Sequence, residues 1–374
     1  MKVTLSIIKA DVGSIGGHTM PSEEMVVAVR ERLSGAIRSG TVIDGRVTYT
    51  GDDIAMIMSH TKGPNNPDVH VGLAWEAFLA ATRVAQQQGN YGAGQDLLVD
   101  APSGNVRGAG PAVAEIEFEL MPSYRPAESF MVFAADKCAP GAYNLPLYLV
   151  FCDPMHNGGL LLSPRLHEGF TLTIMDMDSK EGDRLIKLDV PERAWDACAL
   201  LRDMDRFAIE SIHSRAFPDE QVVSVSATRL HNIAGRYTGK DDPVALVRNQ
   251  GIFPAPEEAV EPYLIGHYVA GDARGSHTMP IMPVPINTAV SGPFCLPLVT
   301  CLGFSMDSEG RFATRCIDFF DNPAWDSTRL HVQRKAVEMR RQGFFGVAMA
   351  SQAEIAYTGL MDTMKKLDGE FFSR

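Results

Sequence analysis

Six aspartates in the sequence share one placement, because each stands where an apolar or weakly polar run begins or ends. They are Asp11, Asp52, Asp53, Asp136, Asp241 and Asp242. A single carboxylate at such a position is common at a surface turn, but several that converge would repel one another unless cations lay among them. Oxygen ligands with an occasional imidazole, such as that of His18, suit magnesium or manganese. Sites with several such ions clamp phosphoryl groups and activate water, so the pattern is compatible with phosphate-ester hydrolysis.

The stretch RYTGKDDP places one amine directly before two carboxylates. An amine that attacks a carbonyl must be partly neutral, whereas the bare charges of Asp241 and Asp242 would raise the pKa of Lys240 and keep it charged. Bound divalent cations would reverse that local field. The stretch is therefore either a solvated turn closed by Pro243 or an amine nucleophile beside metal ligands. In the second case Tyr237 would lie near the amine as a proton donor or acceptor if the segment turns helically.

The composition argues against several classes of protein. A net charge of -12 and a pI near 5.3 disfavour a nucleic-acid binder, which usually carries a basic face. We expect no membrane span and no secretory signal, since no apolar run approaches the required length. The six cysteines form no C-x-x-C pair, which indicates reduced thiols in a cytoplasmic protein. The chain lacks a phosphate-binding P-loop, and Arg274 in ARGSH is a candidate anion anchor.

Apolar periodicity predicts an α/β protein. Strands are expected at VTLSIIKAD, DDIAMIMSH, EIEFEL, SFMVFAADK, LPLYLVF, FAIESIHS, VVSVSA and PIMPVPI, and hairpins at VIDGRVTYT, FTLTIMDMDSKEGDRLIKLDV and VTCLGFSMDSEGRFATRCIDFF. The first hairpin would turn at Asp44-Gly45. Helices are expected at MVVAVRERLSGAI, VGLAWEAFLAATRVAQQQG and PERAWDACALLRD and twice near the C-terminus. Because strands come in runs and hairpins, we expect large mixed or antiparallel sheets flanked by helices, in one unit spanning residues 1–374.

Several long motifs are distributed along the sequence, namely IKADVGSIGGH, VTYTGDDIAMIMSHT, YGAGQDLLVDAPSGNVRGAGP, FAADKCAPGAYNLPLYLVFCDP, YTGKDDP and ARGSHTMPIMPVP. Together these motifs resemble the fructose-1,6-bisphosphate aldolase/phosphatase family, also called type V fructose bisphosphatases. They follow the family's order and spacing over nearly the whole chain. The resemblance implies a four-layer α-β-β-α sandwich, a homo-octamer and several Mg²⁺ ions, and the ligand chemistry described above leaves Mn²⁺ as an alternative.

The same resemblance implies two reactions on sugar phosphates. A lysine Schiff base condenses dihydroxyacetone phosphate with glyceraldehyde 3-phosphate, and the 1-phosphate of the product is then hydrolysed to give fructose 6-phosphate. Carried over by motif, the Schiff-base lysine is Lys240 and its proton donor or acceptor is Tyr237. The implied metal ligands are Asp11, His18, Asp52, Asp53, Gln95, Asp136, Asp241 and Asp242. The implied substrate contacts are His18, Tyr91, Gly104, Asn105, Lys137, Gln250, Arg274 and Tyr357.

The chain also departs from the family's pattern. Cys295 in PFCLP stands where the family has an aspartate in a stretch like FDGPP, and the family's double histidines read His18-Thr19 and His277-Thr278 here. A cysteine cannot supply a carboxylate contact, which motivates one alternative, a paralogue with only phosphatase or only aldolase activity on a related sugar phosphate. A second alternative, of a different class, is a non-catalytic sugar-phosphate-binding scaffold. The presence of both Tyr237 and Lys240 argues against the scaffold, because a binder has no use for a Schiff-base amine.

Overall fold

The computed structural model describes residues 1–97, 110–120, 128–179, 182–227, 241–249, 253–270, 278–290, 296–341 and 358–374. The strands are β1 (Lys2–Asp11), β2 (Asp44–Thr50), β3 (Asp53–His60), β4 (Ala112–Glu119), β5 (Glu128–Asp136), β6 (Phe170–Asp176), β7 (Arg184–Val190), β8 (Phe207–Ser214), β9 (Gln221–Val225), β10 (Val244–Asn249), β11 (Tyr268–Ala270), β12 (Thr278–Pro280), β13 (Met282–Pro283), β14 (Leu298–Met306), β15 (Ile317–Asp318) and β16 (Phe372–Ser373). The helices are α1 (Glu23–Ser39), α2 (Pro67–Val69), α3 (Glu76–Gln88), α4 (Asn144–Cys152), α5 (Gly158–Leu162), α6 (Ala194–Leu201), α7 (Pro256–Val260), α8 (Asp326–Arg341) and α9 (Thr358–Asp368). A π-helical segment, His70–Trp75, joins α2 to α3.

Two sheets carry most of the strands. The smaller sheet has the order β2-β3-β1-β4 and is antiparallel throughout. The larger has the order β13-β14-β5-β10-β9-β8-β6-β7-β16, with β15 paired to β14, and only its β13–β14 pair is parallel among the described strands. The predicted mixed and antiparallel sheets are therefore confirmed. Among the described residues no helix is long and apolar enough to cross a membrane.

The two sheets pack face to face through alternate residues of their strands. Leu5 and Ile7 of β1 share one apolar cluster with Phe130 and Val132 of β5 and with Leu246 of β10. Successive strand residues point to opposite faces, so these positions form the inner faces of both sheets. They build the core between the two sheets, which we call the inter-sheet core.

The outer face of each sheet is covered by helices. On the smaller sheet, Ile8 of β1 packs with Val29 of α1 and Phe78 of α3. On the larger sheet, Phe133 of β5 packs with Leu147 of α4 in another cluster. Helices, two sheets and further helices therefore follow one another, and the predicted four-layer α-β-β-α sandwich is confirmed.

The hairpin predicted at Asp44-Gly45 is wrong. Residues 44–50 form the uninterrupted strand β2, which pairs with β3, and the chain reverses at Gly51 and Asp52 instead. Gly51 adopts a φ of 57°, a left-handed conformation that glycine tolerates best. Gly45 stays in the strand opposite Met58, with its Cα facing Leu33 of α1. The Asp-Gly dipeptide favours a turn locally, but the pairing of β2 with β3 determines where the chain reverses.

The strand predicted at LPLYLVF is also wrong, because these residues lie in α4. A short apolar run that is buried on all sides does not distinguish strand from helix by periodicity. Pro146 lies in the first turn of α4, where a missing N–H is tolerated. Asn144 anchors the start of the helix by donating from Nδ2 to the carbonyls of Leu201 and Phe207.

Candidate active site

The inter-sheet core ends in carboxylates. Asp11 continues the inner-face series of β1 and stands directly opposite Asp53 in the β1–β3 ladder. Asp136 is the last residue of β5, and its side chain lies on the same inner face as that of Val132 earlier in the strand. The alternation that buries apolar side chains between the sheets thus brings aspartates from both sheets to one edge.

The turn between β2 and β3 carries Asp52 into this cluster. Asp52 is buried, and its N–H donates to Asp136 Oδ2 at 3.3 Å, so the turn of the smaller sheet contacts β5 of the larger. The N–H of Gly51 donates to the carbonyl of Thr288 at 2.9 Å, which holds the turn from its other side. A Cβ atom on residue 51 would lie 1.5 Å from Asp136 Oδ2.

Lys137 neutralises part of this acidic cluster. Its ammonium donates to Asp52 Oδ1 and to Asp136 Oδ1, the latter at 2.8 Å, and its side chain is almost wholly buried. Burial acts to lower the pKa of Lys137, but the charges of Asp136 and Asp52 outweigh it and raise the pKa well above its usual value. Burial likewise acts to raise the pKa of Asp52, but the charges of Lys137 and His18 and the hydrogen bond from Lys137 outweigh it, so that this pKa is lowered.

His18 and Tyr91 lie together at the outer rim of the cluster. Nδ1 of His18 is 3.5 Å from Asp52 Oδ2, and its ring meets that of Tyr91 edge to face at a centroid distance of 4.8 Å. Backbone hydrogen bonds in both directions between Ser14 and Tyr91 tie the two loops together. Tyr91 is 40% exposed, so its ring is accessible from solvent at the mouth of the site.

Asp96 holds Asp11 from behind. Its Oδ2 accepts the N–H of Asp11 at 2.9 Å, and its Oδ1 accepts the N–H of Gly110 at 3.1 Å. Gln95, the predicted ligand, opens the 3₁₀ turn Gln95–Leu97 that places Asp96. Asp96 ends the glycine-rich stretch YGAGQD, and its carboxylate is buried. The sequence analysis assigned it no role, whereas in the structure it holds the backbone of Asp11.

Asp241 and Asp242 belong to the buried cluster and not to a solvated turn, since each is only 8% exposed. The N–H of Asp242 donates to the carbonyl of Cys138, and the N–H of Cys138 donates back to Asp242 Oδ1, both at 2.8 Å. Asp242 and Lys137 have φ values of 46° and 60°, an uncommon backbone conformation for residues other than glycine. Burial, with the charges of Asp241 and Asp53, raises the pKa of Asp242 to about 7.

Lys9 is a further member of the site that the sequence analysis missed. It is 1% exposed, and its ammonium forms an ion pair with Asp53 Oδ2. The available signal was the spacing, because residue 9 points to the same face of β1 as Asp11.

The donor set fits divalent cations. Two groups, Asp11 with His18 and Asp52, and Asp52 with Asp53 and Asp136, each bring one ligand atom per residue within 4.8 Å of one another. Asp52 is common to both, and its buried Oδ2 accepts no hydrogen bond from any residue that the structure describes. Burial and neighbouring charges raise the pKa values of Asp11 and Asp136 well above their usual range. Buried oxygen ligands of this kind are those that hard divalent cations prefer.

Other predicted site residues lie outside the described residues. They are Gly104, Asn105, Tyr237, Lys240, Gln250, Arg274 and Tyr357, together with Cys295. Lys240 directly precedes the buried Asp241 in sequence. Gln250 directly follows Asn249, which ends β10 at the opposite end of the strand from Asp242.

The chain is similar to known proteins over almost its whole length. A family model described as fructose-1,6-bisphosphatase matches residues 2–372. A protein of Thermus thermophilus is 54% identical over 371 residues, covering 99% of this chain and 100% of that protein. A protein of Cenarchaeum symbiosum is 47% identical over 371 residues, covering 99% and 95%, and one of Ignicoccus hospitalis is 44% identical over 374 residues, covering 99% and 93%. All three carry the name fructose-1,6-bisphosphate aldolase/phosphatase.

Proposed function

The chain belongs to the fructose-1,6-bisphosphatase family, and on that premise we propose that it is a bifunctional gluconeogenic enzyme, an aldolase and a phosphatase in one. It condenses dihydroxyacetone phosphate with glyceraldehyde 3-phosphate and then hydrolyses the 1-phosphate of the product to give fructose 6-phosphate. The observation that carries the proposal is that two adjacent groups of potential metal ligands share Asp52. The buried residues Asp241 and Asp242, which follow Lys240 in the sequence, belong to the same acidic cluster. No observation favours the single-activity or non-catalytic alternatives, and the relatives' names include both activities.

The phosphatase half uses the carboxylates at the edge of the inter-sheet core. Asp11, His18 and Asp52 would hold one Mg²⁺, and Asp52, Asp53 and Asp136 a second, with Gln95, Asp241 and Asp242 as further ligands. Bound divalent cations would stabilise the charge of the phosphoryl group and activate the water that displaces the sugar oxygen from phosphorus. Mn²⁺, which accepts the same oxygen donors, is the alternative ion.

Three of the proposed substrate contacts lie in or beside the described acidic cluster. Tyr91 and His18 form the accessible rim, where an anionic sugar phosphate enters. Lys137 lies in the cluster with its ammonium beside Asp52 and Asp136, and it contacts the substrate's phosphate. The remaining proposed contacts, which lie outside the described residues, are Gly104, Asn105, Gln250, Arg274 and Tyr357.

The aldolase half uses Lys240 and Tyr237. The ε-amine of Lys240 adds to the carbonyl carbon of dihydroxyacetone phosphate, and loss of water leaves a Schiff base. Tyr237 takes the proton from the adjacent carbon, the enamine so formed attacks the aldehyde carbon of glyceraldehyde 3-phosphate, and Tyr237 gives the proton to the aldehyde oxygen. Hydrolysis of the product Schiff base by water then releases fructose 1,6-bisphosphate and restores the amine of Lys240. Asp241 and Asp242, which follow Lys240 in the sequence, are both buried. They support the assignment because cations bound by these two carboxylates would favour the neutral form of the Lys240 amine.

Chelation tests the phosphatase half. Phosphate release from fructose 1,6-bisphosphate is measured after exhaustive chelation and again after addition of Mg²⁺ or Mn²⁺. We expect the release to vanish and to return with either ion. Release that persists in the chelator would overturn the proposed metal chemistry.

Borohydride trapping tests the aldolase half. The protein is reduced in the presence of dihydroxyacetone phosphate, and the modified peptide is identified by mass spectrometry. We expect the mass of the reduced adduct on Lys240, its absence in Lys240→Met, and its persistence in Lys62→Met, which removes a lysine on the surface. An unmodified Lys240 in the presence of Mg²⁺ would contradict the assignment.

The protein is further proposed to act as a cytoplasmic homo-octamer whose subunit is a single unit of residues 1–374. Large apolar side chains are exposed on the described surface, among them Met155 at 93% and Trp195 at 86%, and burial between subunits would remove them from water. The cysteines in the described part of the chain are free, in keeping with a reducing compartment. Sedimentation equilibrium measures the assembly, and a monomer at micromolar concentration would contradict it.

A further inference from the structure

Lys9 lies where the inter-sheet core meets the acidic cluster. It continues the inner-face series of β1 after Leu5 and Ile7 and precedes Asp11 on the same face. Its partners in the two neighbouring strands are small residues, Ala55 of β3 and Ala112 of β4. The absence of bulk on both sides leaves room for the four methylenes of the lysine side chain within the apolar layer.

The ammonium of Lys9 engages one oxygen of Asp53. Nζ contacts Oδ2, and both side chains are almost completely buried. Asp53 is one of three carboxylates whose oxygens lie within 4.8 Å of one another, with Asp52 and Asp136. An ammonium on one oxygen restricts rotation of the carboxylate, so that the second oxygen keeps its direction.

The charge balance gives Lys9 a further role. Seven aspartates are buried in this region, namely Asp11, Asp52, Asp53, Asp96, Asp136, Asp241 and Asp242. The lysines buried with them in the described part of the chain are Lys9 and Lys137. Lys137 forms ion pairs with Asp52 and Asp136, whereas Lys9 forms one with Asp53, so the lysine that contacts Asp53 is Lys9. A buried carboxylate without a partner is strongly destabilising.

We infer that Lys9 is a positioning residue, which fixes and neutralises Asp53 from the core side so that Asp53 presents one oxygen to a divalent cation. The inference rests on the proposed function, in which Asp53 is a metal ligand. Hydrogen-bonding partners of metal-ligating carboxylates orient the ligand, and their removal costs about 10–100-fold in metal affinity. In this role Lys9 acts through Asp53 and not on the substrate or the cation directly.

The test is a titration of the metal-free protein with Mn²⁺ alone, followed by calorimetry or electron paramagnetic resonance. Lys9→Met keeps the length of the side chain and removes the ammonium, and we expect Mn²⁺ to bind about 10–100-fold more weakly. Lys9→Gln keeps an N–H donor without the charge, and we expect a smaller loss. Lys2→Met is the matched control on the same strand, because Lys2 is exposed and pairs with Glu117, and we expect no change.

A double-mutant cycle with Asp53→Asn decides whether Lys9 acts through Asp53. We expect Lys9→Met to add nothing to the loss caused by Asp53→Asn. Unchanged or tighter binding in Lys9→Met, or full additivity of the two losses, would overturn the inference. If Lys9→Met does not fold, Lys9→Gln enters the same cycle and is judged by the same criteria.

Failure of the proposed function gives a different result. If the unaltered protein binds no Mn²⁺, or if Asp53→Asn binds it as tightly as the unaltered protein, the assignment of Asp53 as a ligand is wrong. If Asp53→Asn weakens binding but Lys9→Met does not, the metal site stands and the role of Lys9 is refuted.

Discussion

A Cβ atom on residue 51 would lie 1.5 Å from Oδ2 of Asp136, so the turn between β2 and β3 approaches β5 this closely only because residue 51 is glycine. Gly51 also has a φ of 57°. An L-amino acid in this conformation costs about 1 kcal/mol. Conformation and space therefore both require glycine at the point where the smaller sheet delivers Asp52 to the carboxylates of the larger.

Gly51→Ala is expected to displace Asp136 or the turn and to weaken Mg²⁺ binding by at least about tenfold, with a parallel fall in phosphate release. Calorimetric titration with Mg²⁺ measures the first effect. Gly40→Ala is the matched control, because Gly40 has a φ of 76° but nothing within 4 Å of the added Cβ. The control should lose about 1 kcal/mol of stability and keep its metal affinity. Equal metal affinities of the two variants would show that the contact with Asp136 is unimportant.

Asp52→Asn should damage both groups of ligands at once. Asp52 is common to both groups and also pairs with Lys137 and His18. Replacing its carboxylate with a neutral amide therefore removes a negative charge that the bound cations, Lys137 and His18 would all share. We expect phosphate release from fructose 1,6-bisphosphate to fall by about a hundredfold or more. Asp68→Asn, at an exposed aspartate paired with Lys62, should leave the rate unchanged. A rate within a few-fold of normal for Asp52→Asn would argue against a shared ligand.

Asp96→Asn should weaken metal binding by about tenfold without removing any proposed ligand. The N–H groups of Asp11 and Gly110 bind different oxygens of Asp96, and in asparagine one of these oxygens is replaced by an NH₂ group that cannot accept a hydrogen bond, so Asp11 loses its fixed position. Asp44→Asn is a close control, since Asp44 also accepts two backbone N–H groups, from Gly45 and Phe312, at the other end of the smaller sheet. Mn²⁺ titration and thermal unfolding of both variants separate the effects. Loss of stability alone in Asp96→Asn would refute its role in the site.

His60 should make the folded protein less stable in acid. Burial lowers the pKa of His60 from 6.5 to about 4, and its Nε2 contacts the hydroxyl of Ser6. Between these values the unfolded chain binds a proton that the folded protein does not, so stability falls as the pH falls from 6.5 towards 4. The loss amounts to roughly 3 kcal/mol at the lower end of this range.

Denaturant unfolding at pH 7 and pH 4.5 measures this loss. His60→Gln cannot take up the proton and should show a smaller difference between the two pH values, whereas His331→Gln, at an exposed histidine, should show the normal difference. If all three proteins lose the same stability, His60 is not the responsible group.

The sequence predicted the individual strands well because period-two alternation is a local property. It singled out Asp11, Asp52, Asp53 and Asp136 as candidate metal ligands because each terminates or opens such a strand. Their convergence could not be derived in this way, since the order β2-β3-β1-β4 and the neighbourhood of β5 and β10 are long-range pairings. The resemblance to a known family supplied that missing information.

The errors have the same origin. Asp44-Gly45 carries a strong local turn signal that the pairing of β2 with β3 overrides. LPLYLVF is apolar throughout, so nothing in its own pattern separates a buried helix from a buried strand. Lys9 was missed because a lysine in a strand is ordinarily a solvated residue, and only the burial of its face shows otherwise.

Asp11 and Lys9 owe their direction to the same alternation that packs Leu5 and Ile7 between the sheets. Inserting or deleting one residue within β1 would turn this whole series towards the helices, even if the strand still paired with β3. Such an indel would remove Asp11, a proposed metal ligand, together with Lys9, the proposed support of Asp53, while every amino acid of the site remained in the gene. For this enzyme, the tolerance of β1 to length changes is therefore set by catalysis as much as by folding.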